Sequence, residues 1–549
     1  MGQQERHSHY LQTGKWVYHQ ASNSIRERRN KEERMSRVGL MVYRIDDKDD
    51  SGQGKPLIEL ASFEMPDVRE ADLMPLTYLD HLEGEVIIKG WEAMRALMVA
   101  QWQLTDEMLV ARYREQTPAT TCDGHDSLKV ACRLGLVWLP RQECYDPERQ
   151  THVIPGNAAL PEHEGIVTTR GLQEWVCLLP QDVPFDTAQR LLGWMTHEPK
   201  VLSATQGRRL VRQHGQLIRQ AEQAEVEALL AHADLSGLKP NLVPADEPRR
   251  KAAWPTELNA MVETVLASSD PQPPEGVSPA DWERVLAARK AEQDAPVSQL
   301  RKLGPEIQPH QIVAATDDIE VRRPERRRWW SLRTARIATP DGYRYLSGAG
   351  ETVLQRLYVL ILLCGGATAL VTLLGDGARW ICAFFTERLA HLPCKELILD
   401  WQHLCKKCYE LTSMICRGRK AKAVLLGRLL IRLWRGQVEA AIECLEVYRP
   451  EAGNEEKLDE LIRYLSTRRA YIPNYEDRRA QRQFIGSGHS ERANDLLVAR
   501  RQKKKGMHWS WETSDALAAL KTLLLNGGWD LYWQERQVLP LAVPVSTPT

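Results

Sequence analysis

From residue 311 onward the apolar positions fall into runs whose period changes abruptly. Residues 311–322, 329–338 and 343–346 are short runs broken by turn residues, which predicts three consecutive strands. Residues 351–364 are nearly unbroken apolar sequence and read as a buried helix. After Gly365-Gly366, residues 367–374 have the length and β-branched content of a strand covered on both faces. A helix over 378–389 and a strand over 396–399 follow. Residues 401–465 are strongly helical, and no strand pattern returns before a helix that starts near Glu491. Together these imply a mixed α/β core interrupted by an all-helical insertion.

Upstream the pattern is looser. Residues 1–120 read as mostly helical, with a charged stretch at 25–37 and an amphipathic one at 91–113. Residues 128–145 alternate around Gly135, which predicts a β-hairpin. Residues 185–215 read as a helix, a short connection and a second helix opened by the capping box Ser203-x-x-Gln206. That arrangement resembles a helix-turn-helix, and Arg208, Arg209, Arg212, Gln213 and His214 on the second helix could reach phosphates and base edges. An ordinary helical pair with a solvated charged face fits the same residues. Residues 232–309 gather prolines and acids around a helical piece at 282–293 and read as a connector.

The expected division is therefore a helical region (1–120), a hairpin region (121–160), a helix-turn-helix-like region (161–231) and a linker (232–305). The core follows in two parts (306–404 and 481–535) around the insertion (405–480), with a tail at 536–549.

At 549 residues the chain can hold several cores. Its formal net charge is zero, yet basic clusters at 26–37, 322–328, 417–435 and 500–505 leave a polyanionic partner open. The 11 cysteines lack the dense spacing of a secreted disulfide scaffold, so a reducing compartment, the cytoplasm, is expected. The start carries no apolar signal core. The about eighteen uncharged residues at 357–374 approach the length of a membrane span, but Gly365-Gly366 divides them and no membrane partner is expected.

Three acids fit a central strand, a neighbouring strand end and a facing helix. Asp317 lies in the first strand of the series, Asp376 in Gly375-Asp376-Gly377-Ala378 after a buried strand, and Glu491 in Gly486-Ser487-Gly488-His489-Ser490-Glu491. Phosphoryl transfer on DNA needs charge neutralised at the attacking and leaving oxygens, which two Mg²⁺ ions held by such carboxylates can do. Each acid has a plainer role open to it: Asp376 as a helix cap, Glu491 as a favourable first-turn charge, Asp317 as a turn acid. Asp400-x-x-His403 follows a strand end, where it could orient DNA or neighbouring groups, or simply cap a helix. Cys405-x-x-Cys408 beside a single His does not support zinc. Arg500, Arg501, Lys503, Lys504 and Lys505 extend the Glu491 helix and would offer DNA a basic track. The insertion adds Arg417, Arg419, Lys420, Lys422, Arg428, Arg432 and Arg435.

Three strands, helix, strand is the opening order of an RNase H-like core, and the motifs carry a closer resemblance. Thr316-Asp317-Asp318, residues 341–348, Gly375-Asp376-Gly377-Ala378-Arg379-Trp380-Ile381, Leu399-Asp400-Trp401-Gln402-His403, residues 485–491 and Lys505-Gly506-Met507-His508-Trp509-Ser510 are similar to those of bacterial insertion-sequence DDE transposases of the ISKra type, related to the Mutator-like superfamily. The resemblance spans about residues 307–533. It implies an RNase H-like catalytic core, Asp317, Asp376 and Glu491 as catalytic and metal-binding triad, two Mg²⁺ ions with Mn²⁺ as substitute, DNA ends and target DNA as partners, and a homo-oligomer on DNA beside the bacterial nucleoid. The family usually has Gly after the first acid. Here Asp318 stands there, so either Asp317 or Asp318 could be that acid. An RNase H-like nuclease that cleaves without joining, and an inactive or domesticated DNA-binding protein, are the alternative readings.

Overall fold

The computed structural model describes residues 39–44, 58–65, 78–161, 166–232, 234–244, 305–325 and 328–545. The charged stretch at 25–37 and the connector helix at 282–293 lie outside them. The chain is a mixed α/β, multidomain protein that divides into two compact units, Met1–Leu210 and Val211–Thr549. Among the described residues no helix is long and apolar enough to cross a membrane.

In the first unit, β1 (Gly39–Arg44) and β2 (Ile58–Glu64) form an antiparallel pair beside the long helix α1 (Tyr78–Gln116). Most of the described residues before Thr121 are helical, and the two strands that precede the helix are an addition to the helical opening that was expected. The predicted hairpin is longer than its pattern: β3 (Thr121–Cys132) and β4 (Gly135–Asp146) pair directly, and Gly135 takes the positive φ of 97° that the tight turn requires. β5 (Thr151–Val153) and β6 (Val167–Thr168) flank them, giving the order β5-β4-β3-β6. Cys122 and Cys144 are bonded across this hairpin, a pairing that their scattered spacing did not suggest. Helices α2 (Arg170–Leu178) and α3 (Phe185–Met195) close the unit over Leu172, Val176 and Leu192.

Helix α4 (Ala204–Ala231) opens with the predicted capping box: Gln206 N donates to Ser203 Oγ at 3.2 Å and Ser203 N to Gln206 Oε1 at 2.8 Å. Two features depart from the helix-turn-helix reading. The stretch from Met195 to Ala204 is longer than the few residues such a turn allows, and α4 is 28 residues long. The division between the units falls inside it.

The second unit is built on a five-stranded sheet, β10-β9-β8-β11-β12. β8 (Gln311–Arg322), β9 (Trp329–Thr339) and β10 (Gly342–Gly348) run antiparallel in series, whereas β11 (Leu370–Gly375) and β12 (Lys395–Leu399) lie parallel to β8. A two-residue turn allows the β9–β10 hairpin. The parallel return needs a crossover, supplied by α5 (Gly350–Leu363). Alternation along β8 assigns its faces: Ile312 and Ala314 join the core beneath α5, while Val313 and Ala315 join a separate core with the insertion.

The insertion consists of α6 (Trp401–Ile415), α7 (Arg419–Trp434), α8 (Val438–Tyr448), α9 (Glu455–Arg468) and α10 (Tyr475–Ala480). Leu411, Leu429, Leu445, Leu461 and Tyr475 fill its centre, and Cys405 and Cys408 are buried among them. Of the basic residues on α7, Lys422 lies over the Tyr409 ring and Arg435 pairs with Glu476 at 3.4 Å. The second part of the core follows as α11 (Gly488–Asn494), which continues through a wider turn to Gln502, then α12 (Trp511–Leu525) and α13 (Trp529–Glu535). One pairing crosses most of the sequence: β7 (Leu238–Pro240), inside the predicted connector, pairs with β13 (Ala542–Pro544) in the predicted tail.

Candidate functional site

Strand register determines what meets at the sheet's centre. In the parallel pair β8–β11 the register ends with Ala315 level with Leu374, and Asp317 and Asp376 each follow two residues beyond that last pair, near enough for the Asp376 charge to act on Asp317. In β11–β12, Gly375 lies level with Leu399, so Asp400 follows beside Asp376, and Asp400 N donates to Gly375 O at 2.8 Å. Asp317 on β8, Asp376 just after β11 and Asp400 just after β12 therefore gather beside the carboxyl ends of β11 and β12, where open α/β sheets place their ligand sites.

Asp317 is held from both sides: Oδ1 accepts from Asp318 N and Oδ2 from Asn494 Nδ2, each at 2.8 Å. Burial, reinforced by the neighbouring Asp376 charge, raises its carboxyl to about 6. Asp376 turns one oxygen back to its own chain, with Oδ1 accepting from Ala378 N at 2.8 Å. This closes a local turn and is not the helix cap considered for it: the following helix begins at Arg379 with Ala378 as its N-cap and no side-chain capping bond. Among the described residues no hydrogen bond is made to its other oxygen.

Asp318 points to the opposite face. Arg333, directly across on β9, grips it with Nε at 2.8 Å and Nη2 at 3.0 Å, and the same guanidinium lies 3.4 Å from the centroid of Trp380. A carboxylate in a bidentate pair with Arg is already compensated.

Asp400 is buried and serves two ends of the chain at once. It caps α6 by accepting from His403 N at 2.8 Å, and it accepts from Ser487 N and from Ser487 Oγ at 2.7 Å. A side chain on Gly486 would start 3.0 Å from Asp400 Oδ2, tight enough that the carboxylate would have to give by a few tenths of an ångström. His403 Nδ1 lies 3.2 Å from Asp400 Oδ1. That bond, with the charges of Asp400, Asp317 and Asp376, raises the imidazole to about 9 against the opposing effect of burial. His403 is therefore a cation at neutral pH, set among carboxylates.

Glu491 stands on an exposed side of α11, which packs on β8 and β9. Partial desolvation raises its carboxyl, the Asp400 charge adds to this, and the His403 charge opposes it. One helical turn on, Asn494 reaches Asp317 and also accepts from Thr334 Oγ1 at 2.6 Å. The fold thus joins Asp317, Asp376, Asp400 and His403 in one electrostatic cluster, and Glu491 enters it on the Asp400–His403 side. Among the described residues no three or more His, Cys, Asp or Glu side chains are grouped so as to hold a metal ion. A crowded pair that retains a proton up to about pH 6 is nonetheless what a hard divalent cation would relieve, and Mg²⁺ commonly takes only one or two protein carboxylates with substrate phosphates.

Several proposed DNA contacts are engaged elsewhere. His214 is buried against Tyr532 and Trp533, and burial lowers it to about 3, which removes it from any groove-reading role. Arg212 donates through Nε to Thr513 Oγ1 at 2.7 Å and through Nη2 to Ser510 Oγ at 3.2 Å. Gln213 and Arg209 are exposed, and Arg208 lies over Phe185. In the second basic run, Arg501 is corrected from surface track to interior: it is buried, donates to Met507 Sδ at 3.1 Å and stacks on Trp509. Arg500 pairs with Asp495 at 2.6 Å, whereas Lys503, Lys504 and Lys505 are exposed beyond the helix end. Sequence reasoning missed Asn494, Ser487 and Arg333. Only Glu491-x-x-Asn494, at helical spacing, carried a usable signal.

No model of a known protein family matches the chain, and no curated protein matches it.

Proposed function

We propose that the chain is a DNA transposase of an insertion sequence, with Asp317 and Asp376 as the paired acids of an RNase H-like core and Glu491 as the third. The observation that carries this reading is that Asp317 and Asp376 follow the last paired positions of the adjacent strands β8 and β11, with the Asp317 carboxyl raised by burial and the Asp376 charge. The strand order, with three antiparallel strands in series and two parallel returns, agrees with the RNase H-like fold that the sequence motifs imply. So does the helical insertion between Asp376 and Glu491. Asp318, committed to Arg333, is the weaker candidate for the first acid.

When bound between these carboxylates, Mg²⁺, or Mn²⁺ in its place, would supply charge neutralisation at the attacking and leaving oxygens of a phosphodiester. The chain's own part is positioning. Asn494 and the Asp318 amide fix the Asp317 rotamer. Asp400 clamps Ser487, at the mouth of the helix that carries Glu491. His403 offsets part of the negative charge. The overall reaction in this reading is strand hydrolysis at the element's end, followed by attack of the freed 3′-hydroxyl on target DNA, with action in the cytoplasm as an oligomer on paired ends.

Labelled duplex carrying the sequences that flank the coding region, incubated with protein and Mg²⁺ and resolved on a denaturing gel, tests this. Joined products are expected. Cleaved ends alone indicate a nuclease, and a mobility shift without products indicates a DNA-binding protein. Asp376→Asn and Glu491→Gln should each abolish products while retaining the shift, and persistent cleavage in either variant removes that residue from the site.

A further inference from the structure

Immediately beyond Asp376 the chain opens onto a cleft of about 470 Å³ between the core and the insertion. Its cationic lining is Arg379, at the first position after Gly377-Ala378, with Lys407 on α6 and Arg463 and Arg468 on α9. The acid in the lining, Glu460, is already compensated, accepting from Lys407 at 2.9 Å and Lys457 at 2.8 Å. Arg379 and Arg463 are exposed and, like Arg468, form no ion pair among the described residues. Arg468 is fixed rather than loose. Its Nε donates to Gly377 O at 3.0 Å, its guanidinium lies 4.4 Å from the Tyr464 ring centroid, and a side chain on Gly377 would collide with it.

Three uncompensated guanidinium groups in one concave surface are costly in mutual repulsion, and an anion with repeating charge relieves that cost. The acidic cluster starts one residue away, so an anionic polymer crossing the cleft carries one phosphate to Asp376 and its neighbours to the arginines. We propose that this cleft holds the phosphate backbone of the DNA strand leading to or from the bond at Asp376, without reading its sequence. The inference rests on the nucleic-acid reading above. It assigns the grip to α9 and the Asp376 turn, rather than to the basic face of α7 or to the Arg500–Lys505 run.

The test uses the full chain, with binding to the labelled flanking duplex and to a scrambled duplex measured by fluorescence anisotropy across a salt series without divalent cation. Arg379 and Arg463 are exposed, so Arg379→Ala/Arg463→Ala is expected to keep the wild-type melting temperature. It should weaken both duplexes alike and reduce the slope of log K against log salt by about 2, near one per lost phosphate contact. Arg417→Ala/Arg419→Ala on the insertion's outer end should leave the slope unchanged. An unaltered slope in the cleft variant, or a loss confined to the flanking sequence, overturns the proposal, as does wild-type protein that binds neither duplex. Failure of the enzymatic reading shows separately: binding and the slope change persist while no cleavage products form in Mg²⁺.

Discussion

Glu222 and Asp317 are both carboxylates sunk into the second unit, and the protein treats them in opposite ways. Glu222 accepts from Arg219 at 2.8 Å and from two nitrogens of Arg356 at 2.6 and 2.9 Å, and these charges hold it below its ordinary range despite its burial. Arg219 also grips Asp515, and Ser347 ties the group to β10, so one network joins α4, β10, α5 and α12. Asp317 instead faces another acid, and its carboxyl is raised to about 6. Where a fold needs buried charge for architecture it supplies the counter-charge. Where it leaves charge unmatched, the missing partner is expected from outside.

The largest effect expected from this contrast is on stability. Glu222→Ala strands the buried Arg356 guanidinium, leaving Arg219 with Asp515 alone, and should cost about 3–5 kcal/mol in denaturant unfolding, whereas a loss below 1 kcal/mol would dissolve the contrast. Asp317→Asn should act with the opposite sign. Its folded carboxyl titrates near 6 against 3.8 unfolded, so the folded state holds its proton longer and loses stability as pH rises through that window. Removing the charge should therefore raise stability at pH 8 by on the order of 1 kcal/mol while leaving pH 3 unchanged, and a lower melting temperature at pH 8 would contradict the raised carboxyl.

Next in size is Ser487→Ala, which removes the hydroxyl bond to Asp400 from the loop before Glu491 while the backbone bond remains, and should slow cleavage by about 10–100-fold with little change in melting temperature. His403→Gln follows. The imidazole titrates near 9 folded and 6.5 unfolded, so its stabilising share is complete below 6.5 and is lost as pH rises towards 9. The variant's deficit should be visible at pH 6 and vanish by pH 10. The smallest effect belongs to Asp318→Ala, which breaks the Arg333 pair yet should keep cleavage within a few-fold of wild type.

Much of the sheet was legible because β8, β9, β11 and β12 each have a distinct period or length. Asp376 and Asp400 were legible because they directly follow strands, and Glu491 because it opens a helix. The choice between Asp317 and Asp318 was not, since alternation assigns faces only once the partner strand is known, and the Arg333 pairing supplies that. His214 was misjudged for a readable reason: Val211, His214 and Ile218 recur at helical spacing and are buried together, so the histidine belongs to the apolar stripe rather than the basic one. Arg501 was hidden because the helix runs through a wider turn before ending at Gln502, which places Arg501 inward onto Trp509. The β7–β13 pairing joins segments too short and too far apart for any local pattern to suggest.

The central claim is that Asp317 and Asp376 share a divalent cation. Crystals soaked in Mn²⁺ at pH 8 and measured at the manganese absorption edge address it without any substrate. The account predicts an anomalous peak about 2.0–2.3 Å from one carboxylate oxygen of each residue, and it is contradicted if both carboxylates remain bare or the manganese is bound elsewhere.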